Sequence, residues 1–137
     1  MRTGWIAVDL DGTLAEWYGW HHNGDIGAPI APMVERVQHW LAEGREVRIM
    51  TARVGASGKW CEKAQCYDNQ AFADFQRRVI ELWCLQHIGR ILPVTATKDM
   101  DMISIWDDRA VAVEKNTGRA YSFRNELLNM EDECAMI

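Results

Sequence analysis

A chain of 137 residues fits one domain of ordinary size and leaves little room for a second folded unit. At this length roughly two-thirds of the unfolded surface is buried, and with 48% apolar residues the composition excludes a disordered chain or a disulfide-held scaffold. The net charge of -5, from 15 Lys plus Arg against 20 Asp plus Glu, weighs against a broad electrostatic footprint for nucleic acid or anionic membrane and leaves room only for a local basic patch.

The start, Met1 to Trp5, runs directly into a strand-like segment without a secretory h-region, and no apolar run approaches the roughly 20 residues of a membrane span. The expectation is a single cytoplasmic domain over residues 1–137, with no membrane and no obligate protein partner. Ile6-Ala7-Val8 reads as a short, continuously apolar strand ending in acidic residues. Pro32 to Glu43 reads as a helix, with Pro in its first turn, Val34, Val37 and Leu41 at helical spacing, and Gly44 as its cap. Val47 to Met50 is a second strand ending in Thr51. A longer helix is expected from about Gln70 to His87, capped by Asp68 or Asn69, with Phe72, Phe75, Val79, Leu82 and Trp83 on its buried stripe.

Ile91 to Val94 and Ile103 to Trp106 read as two further strands, the latter running into Asp107-Asp108, and Ala110 to Val113 as a fifth. Asn116-Thr117-Gly118 supplies a tight turn toward Ala120 to Phe123, and Asn125 to Glu133 a short terminal helix. Helical segments between continuously apolar strands point to a mostly parallel α/β sheet covered on both faces. Ligands of such sheets bind at the carboxyl ends of the strands. Two connections leave those ends and exceed what the fold needs: Leu14 to Ala31, rich in Gly, Trp and His, and Val54 to Tyr67, with Gly55, Gly58, Lys59, Trp60 and Lys63. They are candidates for a flap and a small lid. Cys61, Cys66, Cys84 and Cys134 read as free thiols, because they show neither a Cys-x-x-Cys spacing nor the density of a secreted framework, and the gap between Cys61 and Cys66 is loose for zinc with His21 and His22 far off.

The strongest chemical signal is Asp9-Leu10-Asp11-Gly12-Thr13-Leu14, directly after the first strand. Two carboxylates spaced by one residue next to a glycine turn can face one point and suit a hard cation such as magnesium, which takes oxygen ligands and keeps several waters. Thr51 closes the second strand, Lys98 follows the third and Asp107-Asp108 close the fourth. Singly, these residues serve as turn caps or solvated charges elsewhere. Their order is what points to a phosphate and metal site.

That ordered set resembles the haloacid dehalogenase superfamily over essentially the whole chain: the first motif is matched by Asp9 to Thr13, the second by Thr51, the third by Lys98 and the fourth by Asp107-Asp108. The resemblance implies a doubly wound, Rossmann-like sheet of order 3-2-1-4-5 with helices on both faces. Members of that family often carry a large cap domain, but neither long connection here is long enough to fold into one, so no large cap domain is expected. It also implies a magnesium-dependent phosphatase, because the acid at Asp11 is similar to that of the phosphatase branch. Asp9 is then the nucleophile that forms an aspartyl phosphate and Asp11 the general acid and base. Magnesium is held by Asp9, the backbone carbonyl of Asp11, and Asp107 or Asp108, while Thr51 and Lys98 bind phosphate.

Arg53, Lys59 and Lys63 give the second long loop a basic bias, with Arg53 and Lys59 as candidate substrate ligands. Trp17, Tyr18 and Trp20 either stack a nucleobase or pack the first loop on the core. The substrate is expected to be a phosphorylated small molecule or a nucleic-acid end. The alternatives are a nucleotidase or polynucleotide-end phosphatase and, from another class, a phospho-receiver signalling domain. A receiver, however, would have its adjacent acidic pair at the first strand and its lone acceptor Asp at the third.

Overall fold

The computed structural model describes residues 3–19 and 25–121. Trp20, His21, His22, the end of the expected Ala120 to Phe123 segment and the expected Asn125 to Glu133 helix lie outside the described residues. Strand β1 spans Trp5–Val8, helix α1 Ala31–Ala42, β2 Glu46–Met50, a short hairpin β3 Trp60–Cys61 and β4 Cys66–Tyr67, helix α2 Gln70–His87, β5 Val94–Thr95 and β6 Met102–Trp106. The main sheet is parallel throughout, in the order β5-β2-β1-β6. β1 lies between β2 and β6, so all four of its residues are buried, which is why it is apolar without alternation.

The connections from β1 to β2 and from β2 to β5 step in the same direction along the sheet, so crossovers of one hand set both helices on one face. One core joins Ile6, Val8, Val47 and Ile49 to Val34 and Val37 of α1 and to Ala73, Ile80 and Trp83 of α2. On the opposite face, the Arg48 guanidinium covers the Trp5 ring at 4.5 Å and the Trp5 indole donates to Asp99 at 2.8 Å. Among the described residues that face carries no helix. The four strands follow the expected 3-2-1-4 order, but Ala110 to Val113 does not extend the sheet as a fifth. Val113 instead pairs antiparallel with Ala120 around a turn in which Asn116 has φ +68° and Gly118 φ +78°, so this segment satisfies its hydrogen bonds locally. No helix of the described residues is long and apolar enough to cross a membrane.

The buried stripe of α2 is rotated from the expected one. Ala73, Gln76, Ile80, Trp83 and Cys84 face the core, whereas Phe75 and Leu82 are 48% and 66% exposed. The helix turns this way because Gln76 is needed beneath the site, as its contacts below show. Asn69 caps α2, its side-chain oxygen accepting from the Phe72 amide at 2.9 Å. Ile80→Ala should therefore cost about 2–5 kcal/mol in a urea titration, while Leu82→Ala should stay within about 0.5 kcal/mol. Equal losses would restore the expected stripe.

Candidate active site

The pairing of β1 with β6 sets Val8 opposite Trp106, so the residues that follow them, Asp9 and Asp107, leave the sheet side by side. The Asp9 amide donates to the Trp106 carbonyl at 2.9 Å and fixes that juxtaposition. After Asp9 the chain turns tightly: the amides of Leu14 and Ala15 both donate to the Leu10 carbonyl, at 3.0 and 2.9 Å, while Leu10 and Leu14 are fully buried anchors. Gly12 has φ +89°, and a Cβ there would lie 2.6 Å from a carboxylate oxygen of Asp108. Only glycine lets the two loops approach this closely.

Thr13 links those loops. Its hydroxyl oxygen accepts from the Asp108 amide at 2.9 Å and lies 3.2 Å from both an Asp9 and an Asp108 carboxylate oxygen. One hydroxyl hydrogen can serve only one of those carboxylates at a time. Sequence alone gives Thr13 no role of its own; its hydroxyl, two residues past Asp11 in the acidic loop, is the signal that points to it.

Asp9, Asp107 and Asp108 each bring an oxygen within 4.8 Å of the others. Burial pushes the Asp9 carboxyl up to about 7, aided by its hydrogen bond with Asp108 and the negative charges of Asp107 and Asp108, with the Thr13 hydroxyl pulling the other way. Three converging carboxylates form an all-oxygen donor set that fits a hard divalent ion. The ligand expected from Asp11 is its backbone carbonyl; the Asp11 carboxylate is not part of this cluster and is engaged elsewhere.

Its partner is Arg53. The guanidinium forks onto Asp11, Nε to Oδ2 at 2.7 Å and Nη2 to Oδ1 at 2.9 Å. Arg53 also donates from Nη1 to Gln76 Oε1 at 3.0 Å and from Nη2 to the Asp25 carbonyl at 3.1 Å. Arg53 is 5% exposed, so this is a largely desolvated, bidentate pair set into the cleft floor rather than a solvated surface charge. Gln76 lies fully buried in the α2 stripe. No apolar pattern in the sequence marked it, because its reason for being there is Arg53, which lies 23 residues earlier.

Thr51 stands beside them, buried, its side-chain oxygen accepting from the Arg53 amide at 3.2 Å and its hydroxyl hydrogen left to donate. These groups open into a cleft of about 710 Å³, with Asp9, Thr51 and Arg53 on its floor and Lys59, Trp60 and Lys63 in the wall made by the β3–β4 hairpin. The Val54 to Tyr67 segment is thus a structured hairpin at the mouth of the site, with Trp60 set edge-on to Tyr67 at 5.1 Å. In the other long connection, Trp17 lines the cleft and lies under the Arg109 guanidinium at 5.7 Å. Lys98 is exposed and is not among the lining residues, whereas Ala96 of the same segment is. The structure gathers Asp9, Asp11, Thr51, Arg53, Lys59 and Asp107 around one cleft, brings Asp108 to Asp9 and Thr13, and leaves Lys98 outside.

No family model, curated protein or solved structure matches this chain.

The raised Asp9 carboxyl ties stability to pH in the metal-free protein. Asp9 holds its proton more tightly when folded than at its ordinary value of 3.8, so its contribution to stability is full below that value and is lost as pH rises through about 7. In the presence of chelator, the thermal midpoint should fall between about pH 4 and about pH 7, and Asp9→Asn should flatten that fall. An identical fall in the variant would remove Asp9 as its source.

Proposed function

We propose that this chain is a phosphomonoester hydrolase of the haloacid dehalogenase kind, acting through Asp9 on a Rossmann-like sheet of which β5, β2, β1 and β6 form the 3-2-1-4 portion. The observation that carries the reading is the convergence of Asp9, Asp107 and Asp108, with Thr51 and Arg53 at the end of the neighbouring strand. Asp9, Asp107 and Asp108 would hold magnesium, which when bound offsets the charge that otherwise makes a carboxylate and a phosphate repel.

The chain's own residues then divide the work. An Asp9 oxygen forms a bond to phosphorus as the ester oxygen leaves, and Asp11 gives that oxygen its proton. Water next attacks the phosphorus, Asp11 takes a proton from it, the bond to Asp9 breaks and inorganic phosphate departs. Thr51 donates to a phosphoryl oxygen. Asp11 can carry a proton only when the Arg53 fork releases one of its oxygens, so Arg53 exchanges an Asp11 contact for a phosphate contact as substrate arrives. Arg53 is thereby both a latch on the acid and a ligand of the phosphate.

Asp9→Asn should lower turnover of p-nitrophenyl phosphate by about a thousandfold or more in a folded protein, and chelation should abolish turnover until magnesium is restored. Calcium should restore it poorly, because its larger, looser shell disturbs in-line geometry. Asp11→Asn should accumulate a phosphoryl group on Asp9, visible by mass, since this good leaving group needs little acid and the second step lacks its base. Phosphorylation of the wild-type chain by a small phosphodonor without turnover would instead identify a phospho-receiver.

The hairpin wall favours one substrate class within this reading: an anion that extends beyond the reacting phosphate, such as a nucleotide or a nucleic-acid end. Lys59 and Lys63 line the cleft with Trp60 and Trp17, which present cations and aromatic faces together. Replacing both lysines with Ala should weaken binding of a polyanionic substrate by about 1–2 kcal/mol, less at high salt, and leave a small ester nearly unaffected. Equal kinetics on both substrates would make the lysines solvated surface charges.

A further inference from the structure

We propose that Cys61 and Cys66 are a paired thiol site that closes to a reversible disulfide by exchange with small disulfides of the glutathione type. The two residues are direct partners in the antiparallel ladder of β3 and β4, and both thiols are free and partly exposed. Opposed residues of such a ladder have Cα atoms about 4.5–5.5 Å apart, inside the roughly 4.4–6.8 Å that a disulfide spans. Their side chains leave the same face with Cβ atoms about 4.5–5.5 Å apart, so closure tightens the hairpin by up to roughly 1 Å. A ladder of two residues per strand, outside the main sheet, can make that adjustment without disturbing the core. Cys84 provides the internal contrast, because it lies in the core and burial pushes its thiol up to about 11, away from the reactive thiolate.

The exchange balances. One thiolate of the pair attacks a sulfur of the small disulfide, forming a mixed disulfide and expelling one small thiolate. The second protein thiolate attacks the mixed disulfide, the bond between Cys61 and Cys66 forms, and the second small thiol leaves. Two electrons and two thiol protons pass from the protein to the oxidant, which ends as two thiols. Because Cys61 lines the cleft next to Lys59 and Trp60, the bond stiffens the wall that meets an incoming ligand. The thiol site does not depend on which reaction the cleft performs.

The test uses the full chain, equilibrated in glutathione buffers of increasing oxidised fraction, quenched with an alkylating agent in denaturant and digested with trypsin. Cleavage after Lys59, Lys63 and Arg77 separates residues 60–63, with Cys61, from residues 64–77, with Cys66. The expected product is those two peptides joined, lighter than their sum by two hydrogens, lost on treatment with dithiothreitol, with Cys84 alkylated throughout. In Cys61→Ser and Cys66→Ser, the remaining thiol should carry at least about tenfold more glutathione than it does in the wild-type chain, since its intramolecular competitor is gone. Free Cys61 and Cys66 in fully oxidised buffer, two independent glutathione adducts on the wild-type chain, or a bond from either residue to Cys134 would each overturn the assignment.

Discussion

The register between β1 and β6 is the constraint on which the rest of the site depends. Setting Val8 opposite Trp106 makes the next residue of each strand, Asp9 and Asp107, emerge together, and Asp108 then meets the Asp9 loop through Thr13. Three carboxylates in one small space cost free energy, most of it from burying and crowding like charges. The strands can hold them there because β1 is buried along its whole length and flanked on both edges. A single-residue slip would carry Ile6 and Val8 to the other face and Asp9 away from Asp107 at once.

A second strand end answers the first with positive charge. Arg53 follows β2 through a 3-10 turn, Ala52–Val54, in which the Thr51 side chain accepts from its amide. That turn aims the guanidinium back over the sheet at Asp11, and Gln76 of α2 supports it from behind. Removing one partner of a buried pair of this kind leaves an uncompensated charge, a larger penalty than the pair itself returns. The burial of Arg53 therefore argues for a positional role: it holds the Asp11 carboxylate apart from the other three.

The wall of the cleft is built differently from its floor. The floor belongs to the parallel sheet and its core, whereas the wall is a two-residue ladder pinned by Trp60 against Tyr67 and by Asp68, whose carboxylate accepts from the amide and hydroxyl of Ser57 at 3.0 and 2.8 Å. Isolated ladders of this length are marginal in water. Its bearing on the floor is therefore more adjustable than the floor itself, which the core holds.

Local sequence determined more of the sheet than of the site. The unbroken apolar run of β1, the alternating Val47 and Ile49 of β2, Gly44 after α1 and Asn69 before α2 were legible because periodicity, capping and turn chemistry act over a few residues. The Asp9 to Thr13 loop and Asp107-Asp108 were legible for the same reason, each being a contiguous cluster at the end of an apolar strand. The orientation of α2 was not legible: Phe75 and Leu82 outrank Gln76 in hydrophobicity, yet Gln76 is inside because Arg53 requires an acceptor there. Likewise, basic residues in a loop look alike in sequence, and only the tertiary structure distinguished Arg53, buried on Asp11, from Lys59 in the cleft wall and from Lys98, exposed and away from it. Charge pairing across tens of residues is a property of the folded arrangement, since the energy that selects it exists only once the sheet has brought the strand ends together.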